Sequence, residues 1–363
     1  MGWLDRRRGL VRTGWARNPA WLLLWFAAAL PVTAQNPEQA KGSVTCATCH
    51  AAVSASYAHA PMRHAMESPG ANPALERHPK LSVELGGYTY TVLTKDGKST
   101  YSVADGTGSL TVPIRWMLGE QTQTWILEKD GRLYESLVSF FPRDQVLAVT
   151  PGDQKIVPRN LTEAMGRELS IWDARQCFNC HATHAIEGVR LTLDKIRPGL
   201  DCERCHDGAQ QHMADAARSN FSTLPKSLNK MDAQETSTFC GQCHRSWDTV
   251  LRNHWRGPVF VRFQPYRLSN SKCFQVNDRR ISCLACHDPH QPANHTVSYY
   301  DAKCLTCHGN AKPMKADMAV KQCPVSKTDC VTCHMPKIEQ PGKHASFTDH
   351  EIRIVKAGDA YPD

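Results

Sequence analysis

One pattern constrains this chain more than any other: Cys-x-x-Cys-His occurs seven times in 363 residues. The sites are Cys46/Cys49/His50, Cys177/Cys180/His181, Cys202/Cys205/His206, Cys240/Cys243/His244, Cys283/Cys286/His287, Cys304/Cys307/His308 and Cys330/Cys333/His334. Two cysteines three positions apart on a helical turn project to the same side. Their sulfurs can reach two vinyl groups along one porphyrin edge. The next residue then lies under the ring, where an imidazole reaches the iron. This is the spacing of covalent haem attachment. Cysteine pairs also build zinc knuckles and ribbons. Such sites need two matched pairs each and do not require histidine directly after the second cysteine, whereas all seven pairs here carry it. The expected cofactor is therefore haem c, seven copies, with the seven motif histidines as proximal ligands.

The first 34 residues read as an export signal. Arg6, Arg7, Arg8, Arg12 and Arg17 precede an apolar run, Trp21–Leu30, and Val32-Thr-Ala34 is a small-residue cleavage site. The run is short for a bilayer span. A periplasmic or extracellular location follows, consistent with 16 cysteines that would be a redox liability in the cytosol. The formal charge of +8 falls to about +4 without that leader. Each haem adds two propionates and, with ferric bis-His iron, roughly one net negative charge. The basic residues are then propionate partners rather than a nucleic-acid footprint, and no nucleic-acid partner is expected.

Five segments are expected: the leader (1–34), a segment with the first motif (35–80), a β-rich insertion (81–165), a six-motif domain (166–350) and an exposed tail (351–363). Residues 81–158 contain neither Cys nor His. There, Tyr88–Leu93 and Tyr101–Val103 flank Lys95-Asp-Gly97, and Thr124–Leu127 and Leu133–Val138 flank Lys129-Asp-Gly131. β-formers on both sides of Asp-Gly predict hairpins and a small antiparallel insertion. The dense motifs leave room for short helices that begin at the motifs, joined by loops. The fold class expected is mostly irregular, with short helices packed around covalently bound haems. The macrocycles would supply apolar mass to a chain that is only 41 % hydrophobic.

Ten histidines lie outside the motifs. His59, His64, His184, His212, His254, His290, His344 and His350 are the candidate distal ligands, ahead of His78 and His295. Met62 or Met66 could replace a histidine on the first haem and would raise its potential. Cys273 and Cys323 fall outside the motifs, and a bridge between them is the simplest fate in an oxidising compartment.

Gly199-Leu-Asp-Cys-Glu-Arg-Cys-His206, with His212 following, resembles the multihaem cytochromes related to the tetrahaem partner of hydroxylamine oxidoreductase. Cys283-Leu-Ala-Cys-His-Asp-Pro-His290 and Cys330-Val-Thr-Cys-His-Met-Pro-Lys337 are similar to late sites in many-haem periplasmic cytochromes. The resemblance implies His/His ligation, closely stacked haem pairs, and His184, His212 and His290 as distal ligands. It departs in haem number, seven rather than four.

Electron transfer along closely spaced, mainly bis-His haems is the expected function, with no catalytic residue assigned. The alternative is a multihaem reductase or oxidase of a small nitrogen or sulfur compound at one open-site haem. Expected partners are redox proteins, either quinol-oxidising membrane complexes or other cytochromes. A homo-oligomer or larger cytochrome assembly is compatible with either function.

Overall fold

Residues 46–309, 323–340, 344–356 and 358–359 are described by a computed structural model. The expected leader lies outside the described residues. Ten strands fall between residues 66 and 168: β1 (Met66–Glu67), β2 (Lys80–Leu85), β3 (Tyr88–Lys95), β4 (Lys98–Ala104), β5 (Ser109–Leu118), β6 (Thr124–Lys129), β7 (Arg132–Ser136), β8 (Val138–Phe141), β9 (Val146–Val149) and β10 (Gly166–Glu168). Eight form one antiparallel sheet in the order β10-β7-β6-β5-β4-β3-β2, with β1 beside β5. Strands β8 and β9 make a separate hairpin.

Both expected Asp-Gly turns are present. Asp96 and Gly97 have φ of 50° and 71°, and Asp130 and Gly131 have 51° and 71°. Positive φ at both central residues is the type I′ geometry that matches the twist of paired strands. A third such turn, Gly86-Gly87, precedes the first expected hairpin. The sheet is thus larger than two hairpins, and it reaches beyond 81–165 at both ends. The expected strand Leu133–Val138 breaks at Leu137. Ser136 Oγ accepts from Trp125 N and donates to Val138 O, which diverts the ladder into β8.

Strand β5 pairs with β4 through Ser109–Pro113 and with β6 through Ile114–Leu118, with a register shift between Ile114 and Trp116. Such a bulge bends the sheet. One face buries Tyr90, Tyr101, Trp125 and Phe140. The other buries Trp116 and Ile126 against Ala174 and Phe178 of the helix Ile171–His181. Phe178 meets Trp116 edge-on at 5.3 Å. This contact fixes the second motif against the sheet.

Beyond residue 200, Val250, Phe260 and Phe263 form a small apolar cluster. The rest of that segment is short helices and loops, apart from one antiparallel strand pair, Lys337–Gln340 with Ala345–Thr348. Three motifs end helices rather than begin them: Ile171–His181, Ala233–His244 and Val297–His308. The first two start at upstream side-chain caps, Ser170 and the Asp232/Glu235 capping box, and the third starts at Thr296 without one, so in all three the motif falls in the last turn. The third, fifth and seventh motifs lie on short turns, at Cys202–Arg204, Cys283–Cys286 and Cys330–His334. From the second motif onward the two forms alternate. The expected tail is not free at its start: Arg353 N donates to His334 O, and Glu351 pairs with Arg267. No described helix is long and apolar enough to cross a membrane.

Candidate haem-binding site

A connected cavity of about 3850 Å³ runs through the molecule, lined by both cysteines and the histidine of every one of the seven motifs. That is about 550 Å³ per motif, within the roughly 300–1,000 Å³ of a typical cofactor pocket.

Cysteines of different motifs meet across it. Cys46 hydrogen-bonds Cys202, Cys180 bonds Cys243, Cys240 bonds Cys283, and Cys304 bonds Cys330. Cys205 lies close enough to Cys240 and Cys243, and Cys286 to Cys304, for their charges to interact. These contacts join all seven motifs into one branched series, with the fourth touching the second, third and fifth. All sixteen cysteines are free thiols. The expected Cys273–Cys323 bridge is therefore corrected. Cys273 sits half-buried near Cys304 and Cys307, while Cys323 is exposed and accepts hydrogen bonds from the backbone of Ser326 and Val325.

Three motif histidines are oriented by backbone carbonyls. His181 Nδ1 donates to Ala65 O at 2.7 Å, His206 Nδ1 to Lys226 O at 3.2 Å, and His334 Nδ1 to Arg353 O at 2.9 Å. A carbonyl can only accept, so each Nδ1 carries a proton and Nε2 is the ring atom that can bind a metal, as is usual for a metal-bound histidine. Burial pushes His181, His244 and His287 below the ordinary imidazole pKa. Among the described residues, no three His, Cys, Asp or Glu side chains converge as around a zinc ion. The thiols, the motif imidazoles and the cavity together fit haem c.

The ten spare histidines divide. His212, His290, His295 and His350 line the cavity. The His212 ring lies 6.4 Å from that of His50, His290 lies 6.1 Å from His206 with planes 7° apart, and His350 lies 6.2 Å from His287. Burial lowers the pKa of His350 to about 4. The other six are not in the cavity lining. His59 and His254 are exposed. His64 spends both ring nitrogens, on Glu67 Oε1 and Ala58 O, each at 2.7 Å. His184 Nε2 is bonded to Glu203. His344 Nδ1 is bonded to Asp144, and His78 packs on Phe140. Of the two candidate methionines, Met62 lines the cavity, whereas Met66 is fully buried in the sheet core.

Sequence reasoning missed the groups that hold His350 in place. Arg267 and Asp349, both buried, form a two-pronged ion pair at 2.8 and 2.9 Å. Arg267 also pairs with Glu351 at 2.7 Å, so His350 sits between two carboxylates anchored on one guanidinium. The signal available was the alternation Asp349-His350-Glu351-Ile352-Arg353 itself.

The family model described as cytochrome c554 and c-prime matches residues 154–207, which carry the second and third motifs. The chain is similar to multihaem c-type cytochromes, as its motifs imply. Among solved structures, the crystal structure of the outer cell wall cytochrome OcwA aligns with a TM-score of 0.33 and 14 % identity over 56 % of this chain. This chain spans 36 % of that protein's length. No curated protein matches.

Proposed function

We propose that the chain is an exported heptahaem c-type cytochrome that passes electrons through a continuous array of closely spaced haems. The observation that carries this is the single cavity touched by all seven motifs, with cysteines of neighbouring motifs in contact. Sites so close cannot hold macrocycles far apart. The residues that would hold them are the fourteen motif cysteines and seven motif histidines. Haem supplies one-electron chemistry, and the protein supplies spacing, ligation and burial. Export rests on residues 1–34. Other redox proteins, either quinol-oxidising membrane complexes or other cytochromes, are the proposed partners, and a homo-oligomer or larger cytochrome assembly is compatible with this role.

One observation favours a second reading. Among the described residues, His181, His244 and His334 have no spare histidine ring among their ring contacts. An iron left with an open position there would support reduction or oxidation of a small nitrogen or sulfur compound. Denaturing-gel haem staining and intact mass would test the haem number, with seven haems per chain expected. Carbon monoxide titration of the reduced protein separates the two readings: no binding supports the conduit, and stoichiometric binding the enzyme.

A further inference from the structure

Three ring pairs carry an assignment that spacing along the chain does not give. A metal–imidazole bond of about 2.0–2.1 Å and a ring radius of about 1.15 Å place two imidazoles on opposite sides of one metal about 6.4 Å apart, centroid to centroid. His50/His212, His206/His290 and His287/His350 lie at 6.4, 6.1 and 6.2 Å. In each pair one ring is a motif histidine and the other is spare, and all six line the same cavity.

The hydrogen bonds agree with the distances. His212 Nδ1 donates to Thr223 O at 2.7 Å, and His350 Nδ1 to Thr348 O at 2.9 Å. His290 Nδ1 lies 3.0 Å from Asp288 Oδ1. Each spare ring thus keeps Nε2 for a metal. By contrast, the Nε2 of His64 and of His184 is already engaged.

We infer that these pairs are the axial ligands of the irons at the first, third and fifth motifs, an assignment that rests on the haem-carrying function proposed above. They share one rule. His212 follows the third motif, His290 the fifth and His350 the seventh, so each distal ring comes from the segment two motifs further along the chain. The three irons then stitch together segments that are not consecutive. Each joins one short-turn motif, or the first motif, to the next short-turn motif. Loading of haem would therefore close loops of 162, 84 and 63 positions in one direction along the chain, the separations of the paired histidines.

The test is electron paramagnetic resonance of the oxidised holoprotein, with haem content measured alongside. His212→Ala, His290→Ala and His350→Ala are each expected to convert one haem from low to high spin at unchanged haem content. His64→Ala and His184→Ala are expected to convert none. His→Met at each of the three positions is the second variant, for use where truncation costs haem. It is expected to raise the midpoint potential of one haem, because thioether ligation favours the reduced iron. Unchanged spin counts in the alanine variants, or unchanged potentials in the methionine variants, would overturn the pairing. A wild-type chain without covalent haem would instead overturn the proposed function, so the two failures are distinguishable.

Discussion

Arg267 and Asp349 face each other across 82 residues of chain, with Nε to Oδ1 at 2.8 Å and Nη2 to Oδ2 at 2.9 Å, and neither side chain is more than 1 % exposed. Burial alone would raise the Asp349 pKa, yet the guanidinium holds the carboxyl below its ordinary range. Arg353 adds a third contact at 2.6 Å. Removing one partner of a buried pair strands the other charge, at a cost of roughly 3–5 kcal/mol. Arg267→Met is therefore expected to lower stability by about that amount in denaturant unfolding. Arg267→Lys should recover part of it, since an ammonium keeps the charge but loses the planar fork.

The sheet and the second motif are coupled through one aromatic contact. Phe178 is fully buried, and its ring meets Trp116 at 5.3 Å. Cys177 packs against the same cluster. Phe178→Ala should cost roughly 3–5 kcal/mol by cavity creation. Thermal unfolding would read it. The strands should lose stability together with the helix Ile171–His181, because both sides of the contact belong to one apolar cluster.

Gly199 marks where the chain before the third motif crosses the stretch that follows the first motif, at Met62–Arg63. Its φ is 78°, and a Cβ there would stand 2.0 Å from Arg63 O. The neighbouring Leu200 N donates to Met62 O at 3.1 Å. No side-chain motion relieves a clash with backbone, so Gly199→Ala must move one strand of chain off the other. Its loss of stability is expected to exceed that of Gly87→Ala, which also has positive φ but meets nothing within 4 Å. The latter should cost about 1 kcal/mol. Paired thermal melts would show the difference.

Legibility followed how local each signal was. Asp96-Gly97 and Asp130-Gly131 could be read directly, because a two-residue hairpin loop demands positive φ at both positions. The cysteine–histidine motifs were equally plain, since two cysteines and a histidine within five residues carry the whole attachment chemistry. Which spare histidine faces which motif was not. His184 and His290 each follow a motif histidine by three residues, yet His184 bonds Glu203 at the surface and His290 faces His206. Identical spacing gave opposite outcomes, because which loop folds over which motif is a tertiary property. The same holds for Cys273 and Cys323: counting left them as a pair, whereas the fold leaves one half-buried and the other exposed.

These two thiols lead to a direct chemical test. With fourteen cysteines carrying haem as thioethers, as proposed, only Cys273 and Cys323 remain to react among the sixteen. Alkylation of the unreduced holoprotein should add two adducts by mass. Cys323 should react first, being exposed and held below the ordinary thiol pKa by backbone N–H groups of Ser326 and Val325. Cys273 should lag, since burial pushes its pKa up. No adducts before reduction, and two after, would mean that the pair is bridged in the mature protein.

Asp153 gives the chain a stability term that depends on pH. Its side chain is buried, one carboxylate oxygen has no hydrogen-bond partner, and desolvation, with Glu135 nearby, raises its pKa to about 6. An unfolded aspartate titrates near 3.9. The folded state therefore holds this proton longer than the unfolded state does. Stability from this group is greatest below pH ~4 and falls as pH rises to about 6, after which the loss is constant. Two units correspond to at most about 2.7 kcal/mol, and partial hydration of the site brings the expectation nearer 1–2 kcal/mol. Asp153→Asn removes the titration. The variant should unfold at a higher temperature than the wild-type protein at pH 7, and the gap should close as the pH is lowered to 4. A gap that persists unchanged at pH 4 would show that the substitution acts through packing rather than through the buried charge.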